Sequence, residues 1–265
     1  MNYDSIILEH YRSVASAVGI SQHCTMDDER IRELETDFII NSISSYIQLT
    51  NTEHKLKLID VGCGNGYTLK TIGDKFKDII LNGVEFTPEL LALARANESR
   101  QINFEPGDIR NLHLEDNCFD IIICQRVIIN LLLRSDQELA LIEIARILKP
   151  GGIVIMIEAF EEGLFNLNKA RREFNLEDIP PAHHNLYLHM DIFSRMIGLA
   201  KLENIPIENT LSTHYYLSRV FHDVCLKMND SGFIRNSLFL QFFDKALPLS
   251  IGEFSPLKFL TLVKS

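Results

Sequence analysis

Short apolar runs alternate with helical patterns of apolar residues along the middle of the chain. Near-continuous apolar stretches predict five buried strands, at residues 57–61, 79–85, 102–105, 119–124 and 153–157. Helices are predicted between them, at residues 67–76, after an N-cap at Thr87, and after an N-cap at Ser135. Strands that alternate with helices predict an α/β fold with a doubly wound, mostly parallel sheet.

The segments on either side of this core are less regular. Residues 1–50 are predicted to form an N-terminal helical cover, with a helix that begins after Asp27 or Asp28. Residues 51–265 are predicted to form the main domain. A lid insertion is expected after the fifth strand, at about residues 159–190, because so long a connection is typical of a binding segment.

The C-terminal third has weaker patterns. We predict a helix at residues 191–197 and two strands, at residues 199–207 and 212–221, that form a hairpin at the sheet edge. Two aromatic-rich runs, at residues 233–243 and 254–262, receive no assignment.

The composition narrows the functional classes. The chain has 265 residues, 46% hydrophobic and 23% charged, which is typical of a soluble globular protein with a sizeable core. Its formal net charge of −10 argues against a nucleic-acid partner, because phosphate binding needs a basic surface. The five cysteines lack metal-binding spacing, so we expect no metal and free thiols in a reducing compartment. Without a signal peptide or a run of about 20 apolar residues, we expect a cytoplasmic protein without a membrane partner.

A glycine-rich turn follows the first predicted strand. Asp60 ends the apolar run, and Gly62, Gly64 and Gly66 follow at alternate positions before a helical pattern begins at Tyr67. Glycine adopts positive φ angles and lets a ligand approach the backbone, while the start of a helix favours an anion. An ordinary βα turn has the same appearance. The G-x-G-x-G spacing differs from the dinucleotide and P-loop patterns.

Polar residues follow the other strands, where ligands bind in an open α/β sheet. Glu85 lies 23 positions after Gly62, where a carboxylate can accept both hydroxyl groups of a ribose. Asp108 can accept from an adenine amino group, with Ile109 against the ring. Without the glycine turn, Glu85 would be read as a solvated acid at a strand end, and Asp108 taken alone is equally a turn residue.

Taken in order over residues 57–158, these pieces resemble the class I S-adenosylmethionine-dependent methyltransferases. The pieces are Asp60-Val61-Gly62-Cys63-Gly64-Asn65-Gly66, Gly83-Val84-Glu85, Gly107-Asp108-Ile109, Phe119-Asp120-Ile121-Ile122 and Leu148-Lys149-Pro150-Gly151-Gly152. The resemblance implies a Rossmann-like sheet of seven strands, with S-adenosylmethionine as methyl donor and S-adenosylhomocysteine as product. It implies that the glycines approach the methionine part, that Glu85 binds the ribose, and that Asp60 orders the turn and contacts the amino acid end. The implied cofactor residues are Asp60, Gly62, Gly64, Gly66, Glu85, Phe86, Asp108, Ile109 and Gln125.

A narrower resemblance points to a bacterial methyltransferase group of polysaccharide and small-metabolite pathways. It rests on Thr25-Met26, Asp28, Ile31-Arg32 and Glu35, on Ile128-Ile129-Asn130-Leu131, on Asn166-Leu167-Asn168 and on His184-Asn185-Leu186-Tyr187. The acceptor implied is a small molecule, such as a sugar hydroxyl or a related metabolite. The asparagines also fit simpler roles, as a loop cap or as surface residues.

Methyl transfer to a hydroxyl group requires alignment and usually a base. His183 and His184 lie in the predicted lid, and we favour His184 as the base, although a packed or exposed histidine pair is equally consistent. The candidate acceptor-binding residues are Tyr11, Arg126, Asn130 and Tyr187.

Three other functions remain open. A nucleic-acid methyltransferase is disfavoured by the charge and by Gln125-Arg126-Val127-Ile128, which stands where amino-methylating DNA enzymes have Asn/Asp-Pro-Pro-Tyr. A non-catalytic S-adenosylmethionine-binding or scaffold protein would keep the ligand residues without turnover. A NAD(P) oxidoreductase is disfavoured by the glycine spacing.

Overall fold

One twisted sheet organises the chain. The computed structural model describes residues 3–19, 26, 28–50, 54–205, 211–228 and 237–265. Within them, seven strands pair in the order β3-β2-β1-β4-β5-β7-β6. The first five strands pair in parallel, and β7 runs antiparallel to both β5 and β6. The strands are β1 (Lys57–Val61), β2 (Ile80–Glu85), β3 (Ile102–Pro106), β4 (Phe119–Gln125), β5 (Leu148–Ala159), β6 (Leu202–Ile205) and β7 (Leu257–Lys264).

Helices surround this sheet. They are α1 (Asp4–Val18), α2 (Glu29–Thr50), α3 (Tyr67–Lys75), α4 (Pro88–Ala94), α5 (Arg134–Ile147), α6 (Glu161–Glu173), α7 (Met190–Leu199), α8 (Ser212–Tyr216), α9 (His222–Met228) and α10 (Leu238–Ala246). A π-helical turn, Leu217–Phe221, joins α8 to α9. No helix among the described residues is both long enough and apolar enough to cross a membrane.

The apolar strands are buried on both faces. Ile59 and Ile122 belong to a core cluster that includes residues of α5 and α7. Leu58 and Ile121, one position earlier, belong to a cluster with residues of α2 and α3. Because neighbouring residues of a strand point to opposite faces, both faces are covered, and the predicted doubly wound, mostly parallel sheet is confirmed.

The predicted helix starts are partly correct. The backbone N–H of Ile31 donates to Asp28 Oδ1 at 3.3 Å, so Asp28 caps α2, whereas Asp27 and Thr25 lie outside the described residues. Thr87 occupies the N-cap of α4 but makes no capping hydrogen bond with its side chain. The cap at Ser135 is wrong, because α5 begins at Arg134, one residue earlier.

The predicted edge hairpin is half right. Strand β6 lies within residues 199–207, but its partner is β7, which arises from the unassigned run 254–262. Residues 212–221 are helical, so that prediction is wrong. Ser212 Oγ donates to the carbonyl of Ile251 and Thr213 Oγ1 to that of Pro248, so this segment is bound to residues far along the chain.

The segment predicted to form a lid, residues 159–190, is more ordered than the sequence indicates. Helix α6 forms most of the first half of this segment, so the prediction of irregular structure is wrong there. Residues 174–189 do lack a helix or named strand, apart from an isolated bridge between Phe160 and Leu188. Leu186 N–H donates to Ile129 O at 2.7 Å, which attaches this segment to the turn after β4. The unassigned run 233–243 contains the start of α10.

Candidate functional site

A cleft of about 1000 Å³, open solvent at its mouth included, lies at the carboxyl ends of β1, β2 and β4. Parallel strands end at this edge, so residues far apart in sequence meet there. The predicted cofactor residues in its lining are Asp60, Gly62, Gly64, Glu85, Phe86, Asp108, Ile109 and Gln125. Three predicted acceptor residues, Tyr11, Arg126 and Asn130, also line it. Gly66 is not among the described lining residues.

The glycine turn needs glycine for conformation and for packing. Gly62 and Gly66 both have a φ of +77°, which disfavours other residues. A Cβ on Gly62 would lie 2.4 Å from Val127 Cγ2, and one on Gly66 would lie 2.8 Å from Phe104 Cζ. The missing Cβ atoms at these two positions therefore make room for side chains of the protein itself.

Glu85 holds the turn to the end of β2. Its Oε2 accepts a hydrogen bond from Gly64 N–H at 2.8 Å, and its Oε1 accepts from Thr87 N–H at 2.7 Å. Burial raises the pKa of the Glu85 carboxyl group, while these backbone donors oppose the rise. The same carboxylate thus shapes the turn and faces the cleft.

Asp60 is a buried acid without a complete set of partners. Its Oδ1 has no hydrogen-bond partner among the described residues. Burial, followed by the nearby charge of Glu85, raises the pKa of Asp60 to about 7, against the opposing charge of Arg32. Buried polar atoms are nearly always paired, so this oxygen marks a place where a ligand or water donor fits.

Arg110 binds Asp108, the carboxylate that is predicted to accept a hydrogen bond from adenine. Arg110 Nε lies 2.9 Å from both carboxylate oxygens, and Arg110 Nη2 lies 2.6 Å from Oδ2. Arg110 Nη1 reaches Asp4 of α1 at 2.9 Å and Asp136 of α5 at 3.2 Å. Arg110 is not among the residues predicted from the sequence. Its position two residues after Asp108 was the available local signal, but the contact with α1 depends on the fold.

Glu35 fastens the end of β4 to α2. Gln125 Nε2 donates to Glu35 Oε2 at 2.7 Å, and Arg126 Nη1 binds Glu35 Oε1. Arg32 Nη1 lies 3.5 Å from the same carboxylate, whose side chain is fully buried. Arg126 has a φ of +57°, an uncommon conformation for a residue other than glycine. The buried Glu35 therefore stands between two guanidinium groups that line the cleft.

Glu158 organises the turn after β4. Its carboxylate accepts from the backbone N–H groups of Val127 and Ile128, each at 2.9 Å, and of Ile129 at 3.3 Å. Burial raises the pKa of Glu158 to about 7. Sequence reasoning missed this residue, although an acid near the end of an apolar strand was a usable signal.

Helix α1 is attached across the cleft by its side chains. Asn130 Nδ2 donates to Tyr11 Oη at 2.8 Å, and Asn65 Nδ2 donates to Gly19 O, just beyond α1, at 3.2 Å. Tyr3, Asp4, Ile7 and Tyr11 supply part of the lining. Burial raises the pKa of Tyr11 to about 12, so its phenol stays protonated near neutral pH.

The predicted catalytic histidines lie beside α1 rather than in the cleft lining. The rings of His184 and His10 stack with centroids 3.6 Å apart, and His184 lies 6.3 Å from the Tyr11 ring. Among the described residues that line the cleft, none is His183, His184 or Tyr187. Burial, then His10 and His183, lowers the pKa of His184 to about 4. His184 Nδ1 is buried without a partner in the described part of the chain.

Comparisons with known proteins agree with this geometry. Residues 59–156 match the family model described as a methyltransferase domain. Malonyl-[acyl-carrier protein] O-methyltransferase of Pectobacterium atrosepticum is 28% identical over 169 residues, which cover 62% of this chain and 61% of that protein. The matched segment contains the glycine turn, Glu85 and Asp108, so the first part of the candidate site lies in a region similar to methyltransferase domains.

Solved structures share the fold at low identity. Magnesium protoporphyrin IX methyltransferase from Synechocystis, solved with bound SAH, has a TM-score of 0.60 and 13% identity, covering 99% of this chain and 100% of that one. The [4+2]-cyclase SpnF has a TM-score of 0.54 and 19% identity, covering 83% of this chain and 79% of that one. The first curated relatives are matched over only 32–61% of their own length.

Proposed function

We propose that the chain transfers the methyl group of S-adenosylmethionine to a hydroxyl group of a small molecule, such as a sugar or a related metabolite. The observation that carries this proposal is the cleft, in which the glycine turn, Glu85 and Asp108 line one space. The lining follows the order expected from the sequence, with the turn after β1, Glu85 after β2 and Asp108 after β3. An S-adenosyl group has an amino acid end, a ribose and an adenine that require these three kinds of contact.

The described residues fit such a donor. The free Asp60 Oδ1 suits the ammonium group of the amino acid end. Gly64, Thr87 and Phe86 already donate to the Glu85 carboxylate, so a ribose hydroxyl group that binds it replaces or shares one of these donors. Asp108 and the buried Ile109 take the adenine. When bound, the donor supplies a methyl group on a positively charged sulfur, so the protein's main task is alignment.

The acceptor is assigned to the side of the cleft nearest α1. Tyr11, Arg126 and Asn130 bind it in this proposal, and Tyr187 and the histidine pair approach from residues 174–189. The protonated Tyr11 phenol donates a hydrogen bond rather than removing a proton. His184 is neutral at pH 7, but a pKa near 4 makes it a weak base. Base catalysis by His184 therefore requires that its stack with His10 opens, which would return the pKa towards its ordinary value.

We assign the reaction to the cytoplasm. Cys63 and Cys124 are buried free thiols, and burial raises the pKa of each well above its ordinary value. Unreactive reduced thiols are typical of proteins in a reducing compartment.

The first experiment separates donor binding from catalysis. Isothermal titration calorimetry with S-adenosylhomocysteine and, separately, with NAD tests the cofactor assignment, and we expect binding of the former alone. Release of S-adenosylhomocysteine from S-adenosylmethionine is then measured with a panel of hydroxylated small molecules and with RNA and DNA. Tight NAD binding without a response to S-adenosylhomocysteine would refute the proposal.

A non-catalytic S-adenosylmethionine-binding or scaffold protein is the second candidate. This candidate is kept because the solved structures share only the fold with the chain, and a shared fold does not determine the reaction. It predicts donor binding without product release for any acceptor. Methylation of nucleic acid is disfavoured by the net charge of −10 and predicts release only with RNA or DNA.

A further inference from the structure

Arg110 binds both oxygens of the carboxylate that the proposed function assigns to adenine. Asp108 Oδ1 accepts from Arg110 N and Nε, each at 2.9 Å. Asp108 Oδ2 accepts from Arg110 Nε at 2.9 Å and from Nη2 at 2.6 Å. A carboxylate offers about four acceptor positions. Three N–H groups of Arg110 thus bind Asp108, one of them shared between the two oxygens, and an adenine amino group that binds Asp108 competes with them.

The same guanidinium group holds the first turn of α1. Arg110 Nη1 lies 2.9 Å from Asp4 Oδ1 and 3.1 Å from Tyr3 Oη. It also lies 3.2 Å from Asp136 Oδ2, and Tyr3 Oη donates to that same oxygen. One cation is therefore shared among three carboxylates, one beside the adenine position, one on α1 and one on α5.

Aromatic rings limit where this guanidinium can move. Arg110 Cζ lies 5.7 Å from the ring centroid of Tyr3 and 5.7 Å from that of Phe86, within the range of cation–π contact. Tyr3, Phe86 and Arg110 all line the cleft. An N–H group of Arg110 that is released from Asp108 thus remains next to Asp4 and Asp136.

We propose that Arg110 is a positioning residue that couples donor binding to the attachment of α1. When adenine occupies an oxygen of Asp108, the N–H groups of Arg110 turn towards Asp4 and Asp136. This strengthens the contacts of Arg110 with the first turn of α1. The coupling rests on the proposed function, because it requires adenine at Asp108. Other contacts of α1, such as Tyr11 with Asn130 and Arg12 with Glu89, do not involve Asp108.

Hydrogen exchange of the full chain tests the coupling. Adenosine and S-adenosylhomocysteine are the probes, since adenosine carries the adenine without the amino acid end. In the wild type, both probes should slow exchange in residues 4–18. In Arg110→Gln, S-adenosylhomocysteine should still bind by calorimetry, but exchange in residues 4–18 should no longer respond. S-adenosylhomocysteine should dissociate from Arg110→Gln roughly tenfold faster than from the wild type, which is the scale expected for the loss of a charged hydrogen bond.

Two further variants make the result specific. Arg12→Gln removes the largely exposed ion pair of α1 with Glu89, at 2.6 Å, and should retain the response. Asp4→Asn leaves the Arg110–Asp108 contacts in place but removes the α1 carboxylate that Arg110 binds, so it should lose the response as Arg110→Gln does. It also provides the test if Arg110→Gln fails to fold.

Two outcomes distinguish the failure of this inference from the failure of the proposed function. If the wild type binds S-adenosylhomocysteine but residues 4–18 do not respond, or if both Arg110→Gln and Asp4→Asn respond fully, the coupling is wrong and the donor site stands. If the wild type does not bind S-adenosylhomocysteine, the donor site is wrong and the coupling falls with it.

Discussion

The rings of His10 and His184 stack at a centroid distance of 3.6 Å and an interplanar angle of 20°. This contact joins α1 to the segment 174–189 and holds His184 neutral. Burial lowers the pKa of both histidines, and His183 adds to the effect. Because the folded state resists protonation of His184 more than the unfolded state does, this contact should depend on pH.

The first prediction concerns that dependence. The stabilisation is complete above the unfolded pKa of about 6.5 and is lost as the pH falls towards about 4. We expect the free energy of unfolding to fall between pH 7 and pH 5 by on the order of 1 kcal/mol more in the wild type than in His184→Gln, after allowance for solvent screening. Urea unfolding at both pH values measures the difference.

Asp60 and Glu158 also make the free energy of unfolding depend on pH, so the effect of His184 has to be measured as a difference between the wild type and a variant. Their raised pKa values act in the opposite direction, since stability from a carboxyl group of this kind is lost as the pH rises. His113→Gln, at an exposed position outside the histidine cluster, is the matched control. An identical pH dependence in the wild type and His184→Gln would contradict the prediction.

Replacement of Glu85 should weaken donor binding. Glu85→Ala removes a buried carboxylate from the cleft and leaves the N–H groups of Gly64 and Thr87 without their acceptor. We expect a loss of about 1–3 kcal/mol in the binding of S-adenosylhomocysteine by calorimetry. Glu105→Ala, at an exposed position on β3, should bind as the wild type does. Unchanged affinity in folded Glu85→Ala would mean that Glu85 does not bind the ribose.

A branched side chain in the glycine turn should have a larger effect. Gly64 lines the cleft and has a φ of +56°, so Gly64→Val strains the backbone and occupies ligand space. We expect weaker binding of S-adenosylhomocysteine than in Glu85→Ala. Gly151→Val is the control, because Gly151 has a φ of +74° with nothing within 4 Å of an added Cβ. Wild-type affinity in Gly64→Val would show that the turn is only a connection.

Removal of the predicted base should affect turnover rather than donor binding. His184→Ala should lower kcat by about 10²–10⁴-fold with an acceptor that supports turnover, while the affinity for S-adenosylhomocysteine changes little. His183→Ala should have the smaller effect, since His183 is exposed, whereas the His184 ring lies 6.3 Å from that of Tyr11, which lines the cleft. Wild-type turnover in both variants would exclude a histidine base and leave positioning, or Tyr11, to support the reaction.

Local patterns in the sequence determined the parallel part of the sheet. Strands β1, β2 and β4 are buried on both faces, so their apolar runs are continuous and can be recognised without knowledge of their partners. In a parallel sheet the residue after each strand lies at the same edge. This is why Asp60, Glu85, Asp108 and Gln125 were predicted to share a site and do line one cleft.

Only the tertiary structure decided what surrounds those residues. Glu35 meets Arg126, and Arg110 meets Asp4, across separations of 91 and 106 residues, which no local spacing indicates. The helical state of residues 212–221 likewise depends on polar contacts with residues 248–251. Periodicity records which face of an element is buried but not which partner buries it. The residues at the cleft edge of the sheet were therefore predictable from the sequence, whereas the attachment of α1 and the position of the histidines required the folded chain.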